Sequence, residues 1–207
     1  MELYLLRHGE IDEQYRGRFV GQIDLPLSER GVTQARWWQR ALATTPFGRV
    51  YCSDLSRSQR TAEIIAENKQ GFIEIMPELR EINLGKWEGI SMAEVKARSP
   101  EEWKKRGDDL EGYRPPGGES FSDLASRILA SFQKILHAAE GNRLIVGHAG
   151  TNRVILCHVL GMPLANLFRI DQDYGCLNII ECSEGRFRLK MMNMKPGEGR
   201  ATANDRE

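Results

Sequence analysis

Glu2-Leu3-Tyr4-Leu5-Leu6 runs directly into Arg7-His8-Gly9. The first five residues are a short, mostly apolar run with no helical period. The pattern predicts a buried strand stopped by Arg7-His8-Gly9. Residues 9–27 are polar and glycine-containing, which predicts a long loop. Ser28 then stands as an N-cap, with Val32, Ala35, Trp38 and Leu42 at helical spacing behind it. Arg49 to Cys52 predicts a second strand, followed by Ser53-Asp54 and a helix over 56–68. Ile73 to Met76 predicts a third strand, and residues 77–90 a loop carrying Glu81, Gly85 and Gly89. Residues 91–118 are mixed and charged, predicting one or two short helices and a turn at Pro115-Pro116-Gly117-Gly118. Residues 120–139 are the cleanest amphipathic helix in the chain. Leu144 to Val146 predicts a fourth strand ending at Gly147-His148, then a helix over 150–160 closed by Gly161. Residues 176–181 and 186–192 read as two last strands joined around Ser183-Glu184-Gly185.

Alternating strands and helices predict an α/β fold. The expected form is a three-layer α/β/α sandwich around a mostly parallel sheet, made mixed by the final hairpin. Residues 1–194 form one domain in this reading, with 84–118 as a small helical and loop cap over the site. Residues 195–207 form a polar tail. In open α/β sheets, ligands bind beyond the carboxyl ends of the strands. The first strand ends at Arg7-His8, the second leads to Arg57, and the fourth ends at His148. Two arginines and two histidines, far apart in sequence, are thus delivered to one rim.

The 207 residues carry 29 basic and 29 acidic side chains, so no global charge draws the chain to nucleic acid or an anionic membrane. With 41% hydrophobic residues the chain has material for a sizeable core. No stretch reaches the ~20 apolar residues of a membrane span. Arg7 and His8 arrive too early for a signal-peptide apolar region. Cys52, Cys157, Cys176 and Cys182 form no C-x-x-C pair and read as reduced thiols in a cytoplasm, with a Cys176–Cys182 disulfide as the alternative. The expected partner is a small-molecule phosphate; a homodimer is left open.

Two arginines beside two histidines repel one another unless an anion sits among them. The guanidinium fork matches phosphate and stays charged at any working pH. The helix after the fourth strand also points its free N–H groups at the rim. The cluster therefore reads as a phosphoryl pocket. No H-E-x-x-H and no Walker glycine loop is present. Asp171-Gln172-Asp173 has the D-x-D spacing of aspartyl phosphatases but does not end the first strand. No metal and no cofactor is assigned. One histidine must then supply the nucleophile, and neutral imidazole can do so near pH 7. His8, following an arginine at the tip of the first strand, is the candidate.

Leu6-Arg7-His8-Gly9-Glu10 resembles the R-H-G signature of the histidine phosphatase superfamily, in its phosphoglycerate mutase-like branch. Ser53-Asp54-Leu55-Ser56-Arg57-Ser58-Gln59-Arg60-Thr61-Ala62 resembles its second motif. Leu79-Arg80-Glu81-Ile82-Asn83-Leu84-Gly85-Lys86-Trp87-Glu88-Gly89 resembles the third, and Val146-Gly147-His148-Ala149-Gly150 the fourth. The resemblance implies that His8 is phosphorylated and that Arg7, Arg57 and His148 hold the phosphoryl oxygens. It makes Glu81 the general acid for the leaving alcohol, then the base for water. Gln14, Gly21, Gln22 and Ala149 are further expected substrate- or phosphate-binding positions. The chain departs from the family pattern at Ile11, Glu13, Gln14 and Gly147, which puts phosphate contacts there in question.

Glu10, Asp12 and Glu88 rank behind Glu81 as acid candidates, and Glu88 has a competing role in holding its loop. His137 and His158 are assigned no chemistry. Only 67 residues separate Glu81 from His148 (148 − 81), short of the insertion that mutases of this type carry. This interval, with Gly21-Gln22-Ile23-Asp24-Leu25-Pro26-Leu27, is more similar to the phosphatases, and most to those acting on α-ribazole 5′-phosphate in cobalamin synthesis. Phosphoserine phosphatase, sugar-phosphate phosphatase and phosphoglycerate mutase are the alternatives, with a phospho-ligand-binding interaction protein as the non-enzymatic one. Tyr15, Phe19, Trp87, Trp103 and Tyr113 are the expected aromatic walls of a leaving-group pocket.

Overall fold

A computed structural model describes residues 1–67, 72–138, 141–183 and 185–197. The strands are β1 (Glu2–Arg7), β2 (Phe47–Cys52), β3 (Phe72–Ile75), β4 (Asn142–Gly147), β5 (Leu177–Ser183) and β6 (Arg186–Met194). The helices are α1 (Glu29–Ala41), α2 (Ser56–Ala66), α3 (Met92–Arg98), α4 (Pro100–Asp108), α5 (Phe121–His137) and α6 (Ala149–Leu160). One sheet in the order β3-β2-β4-β1-β5-β6 holds all six strands. The pairs β2–β3, β2–β4 and β1–β4 are parallel, while β5 pairs antiparallel with both β1 and β6. This is the expected mixed sheet.

Strand alternation sends successive side chains to opposite faces. Leu3, Leu5 and Ile145 enter a core shared with Leu124, Ile128 and Phe132 of α5 and Val154 of α6. Tyr4, Leu6 and Val146 enter a second core with Trp38 of α1 and Ala62 and Ile65 of α2. Each fully buried leucine contributes roughly 1.5–3 kcal/mol, so both faces hold the sheet firmly. Helix starts follow their caps. Ser28 Oγ accepts from Gly31 N at 3.1 Å, and Ser120 forms a capping box with Asp123.

The boundaries shift where local chemistry intervenes. The third strand stops at Ile75, before Met76, because Pro77 opens a 3₁₀ turn over Pro77–Leu79. α6 begins at Ala149, with His148 as its N-cap. The predicted helix ends at 68 and 139, Glu184 of the final turn, and residues 198–207 of the tail lie outside the described residues. Among the described residues no helix is long and apolar enough to cross a membrane. Cys52, Cys157, Cys176 and Cys182 are all free thiols, so the Cys176–Cys182 bridge is not formed.

Register positions the site. Arg7 lies opposite Gly147 in the β1–β4 pair, and Cys52 opposite Val146 in the β2–β4 pair. The three chains therefore leave the sheet side by side, at His8, His148 and Ser53.

Candidate active site

His8 and Arg57 are almost fully buried at the floor of a cavity of about 340 Å³ that both line. His8 Nδ1 lies 2.8 Å from the carbonyl oxygen of Gly9. A carbonyl only accepts, so Nδ1 carries the proton and Nε2 keeps its lone pair. Burial, then the charges of Arg57 and Arg7, hold His8 well below the usual histidine range. The ring is a neutral imidazole near pH 7, the form a nucleophile requires.

The two arginines are fixed by backbone oxygens. Arg57 donates from Nη1 to Ile23 O at 2.6 Å and from Nη2 to Gly21 O at 2.8 Å. Its Nε is buried with no hydrogen-bond partner among the described residues. Arg7 donates from Nη1 to Gln172 O at 2.6 Å, and its guanidinium carbon lies 3.7 Å from the centroid of the Tyr174 ring. Neither forms an ion pair with a carboxylate among the described residues, so their charge is available to an anion.

His148 is fully buried, with its ring centroid 5.0 Å from that of His8. Its Nε2 lies 2.8 Å from Ser53 Oγ, which also accepts from Leu55 N at 3.3 Å. Its Nδ1 is buried with no hydrogen-bond partner among the described residues, and it is a donor in the tautomer in which Ser53 donates to Nε2. Burial, then the charges of Arg57 and Arg7, hold this histidine too below its ordinary range.

Glu81 sits in the loop after the Pro77–Leu79 turn and reaches the N-terminus of α6. Its Oε2 accepts from Gly150 N at 2.9 Å and its Oε1 from Ile82 N at 2.9 Å. A β-carbon at Gly150 would fall on Glu81 Oε1, so glycine here leaves room for the carboxylate in this position. Gly147, a departure from the family pattern, has a similar cause. Asn152 Oδ1 lies 2.5 Å from where its β-carbon would stand. Asn152 in turn donates to Gln172 Oε1 at 3.1 Å.

Most of the expected residues meet here. Arg7, His8, Gly21, Arg57, Glu81 and Ala149 all line the cavity, and the His148 ring lies beside that of His8 without lining it. Gln22 serves the scaffold: its Nε2 donates to Glu81 O at 3.0 Å and its N to Glu88 Oε1 at 2.8 Å. Glu88 also accepts from Leu84 N at 3.1 Å, the loop-holding role expected of it. Gln14 does not join the site. Asp12 caps a 3₁₀ turn over Glu13–Tyr15, which leaves Gln14 exposed outside the cavity. Glu10 lies 3.6 Å from Arg30, also away from the floor.

The aromatic walls differ from the expected set. Trp87 is buried and stacks on Tyr113 at 5.5 Å and against Phe19 at 5.4 Å, so these rings serve mainly the core. Of the five named aromatics only Phe19 lines the cavity; Phe121, Phe168 and Tyr174 complete the wall. Gln172 stands in the sequence only inside the D-x-D spacing, and Tyr174 in no motif; the antiparallel pairing of β5 with β1 brings their loop to Arg7. Among the described residues no three His, Cys, Asp or Glu side chains converge as a metal site.

The model of the histidine phosphatase superfamily (branch 1) matches residues 3–195. An adenosylcobalamin/alpha-ribazole phosphatase of Salmonella typhimurium is 31% identical over 196 residues, covering 94% of this chain and 97% of the relative. A probable phosphoglycerate mutase of Erwinia tasmaniensis is 36% identical over 165 residues, covering 79% of this chain and 76% of the mutase. The alpha-ribazole phosphatase of Shigella flexneri superposes with a TM-score of 0.84 at 30% identity, covering 93% of this chain and 96% of that one. A mycobacterial glucosyl-3-phosphoglycerate phosphatase structure superposes at 0.82 with 28% identity, covering 94% of this chain and 99% of that one. The phosphatases match end to end, whereas the mutase extends beyond the match. The chain belongs to the histidine phosphatase superfamily, branch 1, and is a phosphatase.

Proposed function

We propose that this phosphatase hydrolyses a small phosphomonoester, without a metal ion, through a phosphohistidine at His8. His8 Nε2 attacks phosphorus and the bond to the leaving oxygen breaks. Glu81 gives its proton to that oxygen, so the alcohol departs neutral. Water then attacks the phosphohistidine, Glu81 takes its proton, and inorganic phosphate is released with His8 restored. Arg7, Arg57 and the Nδ1–H of His148 stabilise the charge on the non-bridging oxygens during both transfers. One observation carries the reading: the Gly9 carbonyl fixes the His8 tautomer that leaves Nε2 nucleophilic in an arginine-lined pocket.

The substrate in this reading is α-ribazole 5′-phosphate, on similarity to the Salmonella relative and on the rings of Phe19, Phe121, Phe168 and Tyr174 around the cavity. A planar base stacking on one ring contributes about 1 kcal/mol or more. Residues 84–118 act as the cap, through Leu84, Met92 and Arg106. The cytoplasm is the compartment in which the four free thiols persist. The test is kcat/KM in EDTA for α-ribazole 5′-phosphate, phosphoserine and glycerol 3-phosphate. The ribazole ester is expected to lead by about fivefold or more. Equal or faster turnover of phosphoserine would overturn the substrate, and activity lost to EDTA and restored by magnesium would overturn the mechanism.

A further inference from the structure

Five arginines line the cavity, Arg7, Arg18, Arg57, Arg106 and Arg153, against the single carboxylate of Glu81. A phosphomonoester brings about two negative charges near neutral pH, and Arg7 and Arg57 match them at the floor. Arg18 is exposed at the mouth and donates to the carbonyls of Gln14 and Gly89. Arg106 and Arg153 are left over. Both are half-buried, and among the described residues neither is ion-paired. Glu102, one turn before Arg106, is committed to Lys105 and the Tyr113 hydroxyl. Arg153 donates from Nε to Ile170 O at 2.8 Å.

The two guanidinium groups flank one ring. Arg106 lies 5.6 Å and Arg153 5.2 Å from the centroid of Phe168, which keeps 49% of its surface exposed. Stacking on an aromatic face leaves the in-plane N–H fork of an arginine free to donate. Burial lowers the pKa of both side chains; the fields of Glu81 and Asp171 offset this in part at Arg153, while no carboxylate does so at Arg106.

We propose that Arg106 and Arg153, beside Phe168, form a subsite for a second anionic group on the leaving alcohol, a carboxylate or a further phosphoryl group. The proposal rests on the floor of the cavity holding the reacting phosphoryl group, and it adds a second recognition element among esters of matched leaving group. Plain α-ribazole 5′-phosphate engages the rings alone. The same nucleotide bearing a further phosphoryl group would engage the rings and both outer arginines.

Matched esters test this. Benzyl phosphate and 4-carboxybenzyl phosphate differ in one carboxylate, as do glycerol 3-phosphate and 3-phosphoglycerate. The wild-type enzyme is expected to favour the carboxylated member of at least one pair roughly tenfold in kcat/KM, the size of one charge-assisted hydrogen bond. In Arg106→Gln and in Arg153→Gln that ratio falls toward one. A wild-type ratio near one for both pairs overturns the proposal. So do variants that slow both members equally, which would make the arginines a stacking platform for an uncharged base. Calorimetric binding of the same pairs to His8→Ala reads the subsite without turnover. The subsite and the phosphohistidine mechanism can therefore fail separately.

Discussion

Glu81 is held by two backbone N–H groups, one from its neighbour Ile82 and one from Gly150 at the start of α6. In the proposed role of general acid it would matter most when the leaving oxygen needs a proton. Glu81→Gln is expected to slow alkyl phosphates by about 10²- to 10⁴-fold, and p-nitrophenyl phosphate much less, in a steady-state comparison of the two. Equal losses would remove Glu81 from the role and bring Glu88 forward. Gly150→Ala tests the same contact from the other side. Its new methyl group occupies the place of Glu81 Oε1, so this variant is expected to repeat the leaving-group dependence of Glu81→Gln with both functional groups still present. At this scale the sequence was informative. Arg7, His8, Arg57, Glu81 and His148 lie in dense local motifs at the ends of strands or just beyond them, where side chains of an α/β sheet meet a ligand. Gln14 stood in no such place, and a short capped turn carries it away.

The loop from Asp171 to Tyr174 supplies Arg7 with a carbonyl and an aromatic face. A buried amide pair locks it. Gln172 Nε2 donates to Asn178 Oδ1 at 2.9 Å, and Asn178 Nδ2 donates to Gln172 Oε1 at 3.0 Å and to Leu5 O at 3.0 Å. Asn178→Ala takes one partner from each end of the Gln172 amide, whose Nε2 keeps Asp171 O at 2.8 Å and whose Oε1 keeps Asn152 Nδ2 at 3.1 Å, and leaves the buried Leu5 carbonyl without its Asn178 donor. Stability is expected to fall by about 1–3 kcal/mol in urea denaturation, the cost of unsatisfied buried polar groups. KM for phosphate esters is expected to rise as Arg7 loses its fixed position. An unchanged KM beside a lowered stability would limit the pair to a structural role. This device was not legible in the sequence, because its members are polar residues without a motif, joined only by the register of β5 on β1. The helices and strands were legible, since their periods and caps are local. The aromatic wall was half legible. The segments that line the cavity were identified, but side-chain direction depends on packing, and Trp87 and Tyr113 turn into the core.

The whole molecule carries two buried neutral histidines at the junction of its central strands. Their folded-state pKa values lie well below 6.5, whereas in the unfolded chain they titrate near 6.5. Above that pH both states are unprotonated at these sites and they make no difference to stability. As the pH falls below 6.5 the unfolded chain binds protons that the folded one refuses, so stability declines with a slope of at most about 1.4 kcal/mol per pH unit for each group. Urea midpoints between pH 7 and pH 5 are expected to drop, and less so in His8→Asn. Inorganic phosphate, binding the folded pocket, is expected to restore part of the loss. A flat profile across that range would mean that the histidines titrate normally and that the arginine pocket does not govern them.

The proposed mechanism turns on His8 Nε2 carrying the phosphoryl group. Rapid mixing with a phosphomonoester in EDTA, a base quench that preserves phosphohistidine, and peptide mass mapping read this directly. The predicted result is one phosphoryl group on the peptide containing His8, attached at Nε2, formed within a single turnover and absent in His8→Ala. Phosphoryl transfer to another residue, or turnover with no phosphorylated protein at any time, would contradict it.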